Sequence, residues 1–396
     1  MKKSLISLAV CSAFSSFAHA QSSVTLYGVI DEAVQYNSNI KRLVNGVNVG
    51  GKQIGLDSAS GPFGTRWGMK GVEDLGGGLR AIFVLESGFN LNTGAFAQGG
   101  TAFGRQAYVG LRSANLGTVT LGRQYDSVND YVSIFGFPLA AYSSGATHPG
   151  DIDNLAHDFR ANNTIKYASP NISGLVFGAT LTLGGVAGQV SQNSGYSFGA
   201  GYSHGPLKFG AAYEFYKNPS AAGAVLNSNS NAVAPTATGN FTSLNSGYLA
   251  GAAPASSWQD IVAGGNYTFG NFLVAATYSN VRYGNIGQLN GASARFNIFD
   301  VNGEIHITPF MFVGAGYSYT KGYGVRGDLG NQAYHEFSAI LDESLSKRTD
   351  IYVAATYQIA NGTNSTGAPA VADIENLGDS SNKHQALVRL GFRQVF

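Results

Sequence analysis

Leu207-Lys208-Phe209-Gly210-Ala211-Ala212-Tyr213-Glu214-Phe215-Tyr216 divides into two faces. Leu207, Phe209, Ala211, Tyr213 and Phe215 fall on one, and Lys208, Gly210, Ala212, Glu214 and Tyr216 on the other. A period of two is the signature of a β-strand. The same pattern sets Ile351, Val353, Ala355, Tyr357 and Ile359 against Asp350, Tyr352, Ala354, Thr356 and Gln358. It also sets Val301, Gly303, Ile305 and Ile307 against Asp300, Asn302, Glu304 and His306. One face is apolar and aromatic; the other is polar, charged or small. Such strands suit a membrane barrel with a wet interior, but a soluble sandwich has the same period.

The connections separate the two. Tight turns fall at Leu75-Gly78, Asn115-Gly117, Asn171-Gly174, His204-Pro206, Phe269-Asn271, Thr308-Pro309 and Ser346-Arg348. Between them lie long connections at about 37–61, 92–101, 126–158, 184–194, 218–258, 283–292, 321–333 and 361–383. Tight turns alternating with long loops predict an all-β chain, a 16-stranded antiparallel transmembrane β-barrel with its loops on one side. Sixteen strands enclose an aqueous channel rather than a filled core. The uncharged, Asn/Ser/Ala-rich stretch 218–258 reads as a surface loop, and no composition shift marks a second domain.

Composition fits the barrel. The 396 residues include 54 Gly, 24 Phe and 21 Tyr, and only 12% are charged, about half the roughly 25% usual in soluble domains. With 44% apolar residues, the chain buries enough surface to exclude disorder. Its 24 basic and 23 acidic residues nearly cancel, which argues against nucleic acid as a partner.

Residues 1–20 read as a cleaved export signal. Lys2 and Lys3 precede an apolar stretch to Phe17, and Ala18-His19-Ala20 forms an A-x-A site. Cleavage removes the single cysteine, Cys11, so the expected domain at 21–396 owes nothing to disulfides. Beyond residue 20 no apolar run is long enough for a spanning helix.

Several segments resemble the general diffusion porins of Gram-negative outer membranes, of the betaproteobacterial type. They are Ser23-Val-Thr-Leu-Tyr-Gly-Val-Ile-Asp31, Thr65–Leu79, Phe103-Gly-Arg-Gln-Ala-Tyr-Val-Gly-Leu111, Leu116–Asp126, Arg160-Ala-Asn-Asn-Thr-Ile-Lys-Tyr167 and the terminal Phe396. Gln394 departs from the aromatic or bulky residue usual before that terminus. The resemblance implies a homotrimer in the outer membrane, in contact with its lipid, with the third loop folded inward to narrow the pore. It implies passive passage of ions and small hydrophilic solutes, without cofactor or catalysis. A solute-specific channel of the same fold and a surface β adhesin remain as alternatives.

Six basic residues fall on the early strands: Arg66, Lys70, Arg80, Arg105, Arg123 and Arg160. Alternation places them opposite the aromatic face, since a lipid-facing charge costs up to about 2–4 kcal/mol at the bilayer midplane. The third loop, about 126–158, has no Lys or Arg but carries Asp126, Asp130, Asp151, Asp153 and Asp158. With the lumen-facing Glu86, these acids would oppose the bases across a narrow wet passage, nearly balancing them and leaving a weak preference for anions. By resemblance, Arg66, Arg105, Arg160 and then Arg123 match the family's wall arginines, and Glu86 its wall acid. His148-Pro149-Gly150-Asp151 replaces the family's loop turn, leaving Asp151 and Asp153 as the candidate tip acids. Gly136, Phe137 and Pro138 would bend the loop inward. Trp67, Phe83, Tyr108, Tyr213, Phe215, Tyr357 and Phe392 are expected on the lipid face or in aromatic girdles.

Enzyme motifs fail on context. Gly201-Tyr-Ser-His-Gly205 matches G-x-S-x-G, but Ser203 ends a strand at a tight turn instead of a strand-to-helix elbow. His335-Glu336 lacks a second His four residues on, and the remaining histidines show no metal-ligand spacing.

Overall fold

The computed structural model describes residues 22–59, 64–137, 144–221, 243–249 and 253–396. The expected export signal and Pro138 lie outside them, as does most of the 218–258 loop.

Seventeen strand segments form one closed antiparallel sheet. They are β1 (Ser23–Val44), β2 (Val47–Asp57), β3 (Arg66–Gly76), β4 (Leu79–Gly88), β5 (Gln106–Ser113), β6 (Gly117–Gln124), β7 (Ala161–Ala168), β8 (Leu175–Thr182) and β9 (Gly195–His204). The ring continues through β10 (Leu207–Lys217), β11 (Ala255–Phe269), β12 (Phe272–Ile286), β13 (Ala292–His306), β14 (Met311–Tyr323), β15 (Ala333–Ser344), β16 (Thr349–Asn361) and β17 (His384–Val395). β2 and β3 are two pieces of one stave, because both pair with the same edge of β1, through Ala33↔Asp57 and Val29↔Arg66. The barrel therefore has sixteen staves. At the break, the Thr65 hydroxyl donates to the Asp31 carbonyl (2.8 Å) and accepts from the Asp31 N–H (3.1 Å), standing in for the ladder. The other edge of β1 pairs with β17, from Val29↔Val395 to Asn37↔Leu387, and closes the ring.

The connection expected as a long loop at 37–61 is instead largely strand. β1 and β2 form a hairpin closed by Asn45 and Gly46, at φ 50° and 79°. Asn-Gly is the preferred pair for a two-residue turn that needs positive φ at both positions.

The alternation read from the sequence has its apolar side outward. Phe209, Phe299 and Leu390 are 50%, 53% and 60% exposed, whereas Glu214, Asp260, Gln358 and Gln385 are 0% exposed. A soluble barrel would reverse this arrangement; a barrel with lipid outside and water within requires it. Among the described residues no helix is long and apolar enough to cross a membrane.

The third loop, between β6 and β7, lies inside the barrel. Its first turn, a helix at Ser127–Tyr131, is capped by Asp126, which accepts from the Asn129 N–H (3.0 Å). The Ser127 N–H donates to Ser197 Oγ of β9 (3.0 Å), and Asn302 Nδ2 of β13 donates to the Phe135 carbonyl (2.9 Å). Further along, Phe137 packs with Phe312, Ile340 and Tyr352 of β14, β15 and β16. Trp258 Nε1 of β11 donates to the Ile152 carbonyl (3.3 Å). The wall is thinned for this approach: a side chain at Gly210 would run into the Tyr131 carbonyl.

Candidate functional site

Three of the six expected wall bases meet at one place. Arg105 Nε donates to Glu86 Oε1 (2.7 Å), and Arg66 Nε lies 3.7 Å from Glu86 Oε2. Arg105 Nη2 and Arg160 Nη2 both donate to the Tyr125 hydroxyl oxygen (3.0 and 3.1 Å). The Arg160 guanidinium also stands 5.0 Å from the centre of the Tyr125 ring, a favourable cation–π distance. Tyr27 of β1 completes the group by donating its hydroxyl to Glu86 Oε2 (3.0 Å). One carboxylate and two phenols thus hold three guanidinium groups against the wall.

Their inward aim has two origins. Arg66 faces inward by ordinary alternation on β3, on the same register as Gly68 opposite Glu86. Arg105 does not: on β5, Val109 and Leu111, which share its parity, are exposed outward. Arg105 turns in because it precedes the β5 ladder. Arg160 likewise sits just before β7, on the last step of the third loop.

The other bases do not bond to Glu86 or Tyr125, although Arg123 Nη1 donates to the Arg160 carbonyl (3.3 Å). Lys70 lies over the Tyr27 ring at 5.2 Å. Arg80 is exposed beside the tight turn between β3 and β4, with Nε 3.9 Å from Asp74. Arg123 sits at a bulge in β6, where Nε donates to the Gly104 carbonyl (2.8 Å) and Nη1 to Asn162 Oδ1 (2.6 Å).

The loop acids are mostly occupied in folding the loop. Asp126 caps the helix and accepts from Asn154 Nδ2 (2.6 Å). Asp151 accepts from the Ala156 and Asp158 N–H groups, both at 2.9 Å. Asp153 accepts from Ser279 Oγ of β12 (2.6 Å) and pairs with His148 Nδ1 (2.8 Å). Asp130 pairs with Lys166 of β7. Of the loop acids, Asp158 is the one whose charge acts on Arg105 and Arg160. Burial, with Asp158 and Asp153 nearby, pushes the Asp151 carboxyl well above the usual carboxylate range. Burial and the cations Arg160, Arg105 and Arg66 hold His157 well below the usual imidazole range, so it stays neutral beside the cluster.

Sequence reading missed Tyr27, Tyr125 and His157, and a second basic file on β17. There Arg389 pairs with Asp57 and donates to the Tyr352 hydroxyl (3.3 Å), and Arg393 pairs with Asp350 (2.8 Å). The spacing of two basic residues at i and i+4 on one strand face was a usable signal for that file. Tyr108, expected toward lipid, lines the interior with Gln106, Asp130 and Lys166. Among the described residues no group of three metal-ligating side chains occurs, and Ser203 lies on β9 beside a tight turn.

The Gram-negative porin family model matches residues 7–363. The chain belongs to the Gram-negative porin family. This porin is 39% identical over 184 residues to an outer membrane porin protein of Bordetella pertussis, covering 45% of this chain and 47% of that one. It is 38% identical over 220 residues to outer membrane porin protein 32 of Delftia acidovorans, covering 52% and 58%. The porin spans about half the length of the curated relatives it matches. Its fold is that of the anion-selective porin from Comamonas acidovorans, with a TM-score of 0.71 at 20% identity over 95% of this chain and 100% of that one. OmpT of Vibrio cholerae in its trimer form gives 0.62 at 15% identity, over 95% of this chain and 99% of that one. With the outward apolar face, membership makes the porin an outer-membrane β-barrel and not an enzyme.

Proposed function

We propose that this porin forms a water-filled channel for passive diffusion of ions and small hydrophilic solutes, narrowed where the third loop faces Arg66, Arg105 and Arg160. The observation that carries the reading is the gathering of three guanidinium groups, Arg66 and Arg105 beside the Glu86 carboxylate and Arg160 sharing the Tyr125 hydroxyl with Arg105. The expected near balance of bases and acids is tilted by the loop's own hydrogen bonding, which turns Asp126, Asp151 and Asp153 to other partners. A net positive field focused by low-dielectric walls raises the local concentration of anions in the passage and repels cations. The Comamonas porin of the same fold is anion-selective, which agrees in sign. Lys70, Arg80 and Arg123 set the approach to this point, Asp158 is its counter-charge on the loop, and Asp130 is paired with Lys166. Assembly as a homotrimer follows the trimer form of the Vibrio relative.

A planar-bilayer reversal potential under a KCl gradient tests the reading. A modest anion preference is expected, and Arg66→Ala or Arg105→Ala should move the potential toward cations. A strongly cation-selective wild type, or variants with an unchanged potential, would remove the arginines from the constriction.

A further inference from the structure

The outer wall of the barrel carries charges for which the channel has no use. Arg282 of β12 and Arg295 of β13 are direct cross-strand partners, and both are exposed. They share the outward register of Tyr278 and Phe299, which face lipid. Lys321 of β14 is on the same face, opposite Asn297, two residues from Arg295. The bonds made by these cations go to neutral groups: Arg282 Nη2 donates to Ser293 Oγ (3.3 Å), and Lys321 Nζ to the Asn331 carbonyl (2.7 Å). Like charges placed directly opposite each other destabilise a sheet. The pair therefore calls for an anion from outside the chain.

Height and relief say which kind. Phe272 begins β12 at a tight turn, and Arg282 stands ten residues further on. At about 3.3 Å per residue and a tilt of about 45°, that rise is ~23 Å, the upper margin of an apolar band about 25 Å tall. There an outward arginine costs only about 0–1 kcal/mol. Below it, on the same wall, lies a groove of about 760 Å³. Ala211, Ala263, Gly265 and Ala276 form its floor, and Phe209 and Tyr278 rise beside it. Ala276 is six residues below Arg282 on β12, about 14 Å by the same geometry.

We propose that this face binds a phosphorylated lipid of the outer leaflet. Its phosphate lies between Arg282 and Arg295, with Lys321 at the margin, and an acyl chain descends into the small-residue groove. Guanidinium forks match phosphate oxygens in pairs, and the groove directly beneath distinguishes a lipid from free phosphate. The inference depends on the barrel's outward face and is independent of the constriction reading.

The test uses the barrel purified from outer membranes, delipidated and titrated with diphosphorylated lipid A, with bound lipid counted by native mass spectrometry. Wild type should bind at least about 10-fold more tightly than Arg282→Gln/Arg295→Gln, and more tightly than it binds the dephosphorylated lipid with the same chains. Ala276→Leu, which fills the groove floor, should weaken lipid binding too. Equal binding by wild type and the double variant overturns the proposal. So does full displacement of the lipid by equimolar inorganic phosphate. Each variant is first checked for heat-modifiable migration in unboiled SDS. If the double variant does not form a barrel, Arg295→Gln and Lys321→Gln give the same reading singly.

Discussion

Tyr125 shows how little of a site one residue announces. It sits between β6 and the helical turn of the third loop, with nothing in its neighbourhood to mark it. It matters because Arg105 and Arg160, 20 and 35 residues away in sequence, both reach its hydroxyl. Arg105 and Arg160 stand out in the sequence as bases near the strands, although both lie just before a strand and alternation alone does not aim them inward. Their shared acceptor does not stand out, because it depends on how the chain returns from the lumen to β7. Hydrogen bonds to charged groups contribute about 1.5–3 kcal/mol each. Tyr125→Phe leaves both buried guanidinium groups short of an acceptor, so the temperature at which the unboiled SDS band converts to the unfolded one should fall measurably. An unchanged conversion temperature would show that the hydroxyl is dispensable.

Among the elements, the third loop holds the most charge and the least regular backbone, and its anchoring should depend on pH. His148 is buried between Asp153 (2.8 Å) and Asp300 (3.4 Å). Burial pulls its pKa down, but the two carboxylates outweigh burial and raise it well above the ordinary value. A raised imidazole contributes stability that is full below about pH 6.5 and is lost as pH rises through its folded value. Asp126, pushed up to about 6 by burial with Asp130 adding to it, acts in the same direction. Its neutral form is favoured in the folded loop, so the anchoring it permits weakens as pH rises from about 4 to about 6. The Asp126 contribution is largely gone by about pH 6, so His148 is what should make amide exchange at Ser127 and its neighbours, corrected for intrinsic rate, slower at pH 6 than at pH 9. His148→Gln should flatten the difference between those two values; a variant that keeps the wild-type profile would refute the assignment. The sequence marked this loop as acidic and long, but not that its acids would be spent on its own turns. That outcome is decided by the wall positions it meets, such as Ser279 and Asn302, more than 100 residues downstream. The first hairpin failed in the opposite way: its Asn45-Gly46 signal was local and readable, but the length of 37–61 suggested a loop.

For the whole molecule, strand number, sidedness and the location of apolar surface were all present in the sequence, because a period of two repeated between tight turns leaves few closed arrangements. The break between β2 and β3 was not, since it shows only when both are seen to pair with β1. Closure also rests on the last residue: the Phe396 N–H donates to the Gly28 carbonyl, and the Gly28 N–H to the Phe396 carbonyl, both at 3.0 Å. Deleting Phe396 removes both bonds at the seam and should lower the fraction of chains that reach the heat-modifiable form in the outer membrane. A deletion that assembles like wild type would show that the β1–β17 ladder suffices.

The pairing of β1 with β17 also sets a clock. The Tyr352 hydroxyl reaches Asp31 across 321 residues, and Arg389 reaches Asp57 across 332. Hairpins such as β11–β12 join neighbours through a two-residue turn and can form as soon as both strands exist. The seam waits for the final strand. Until then the first strand presents an unpaired edge, so the exported chain is most exposed to pairing with other chains before β17 docks on β1.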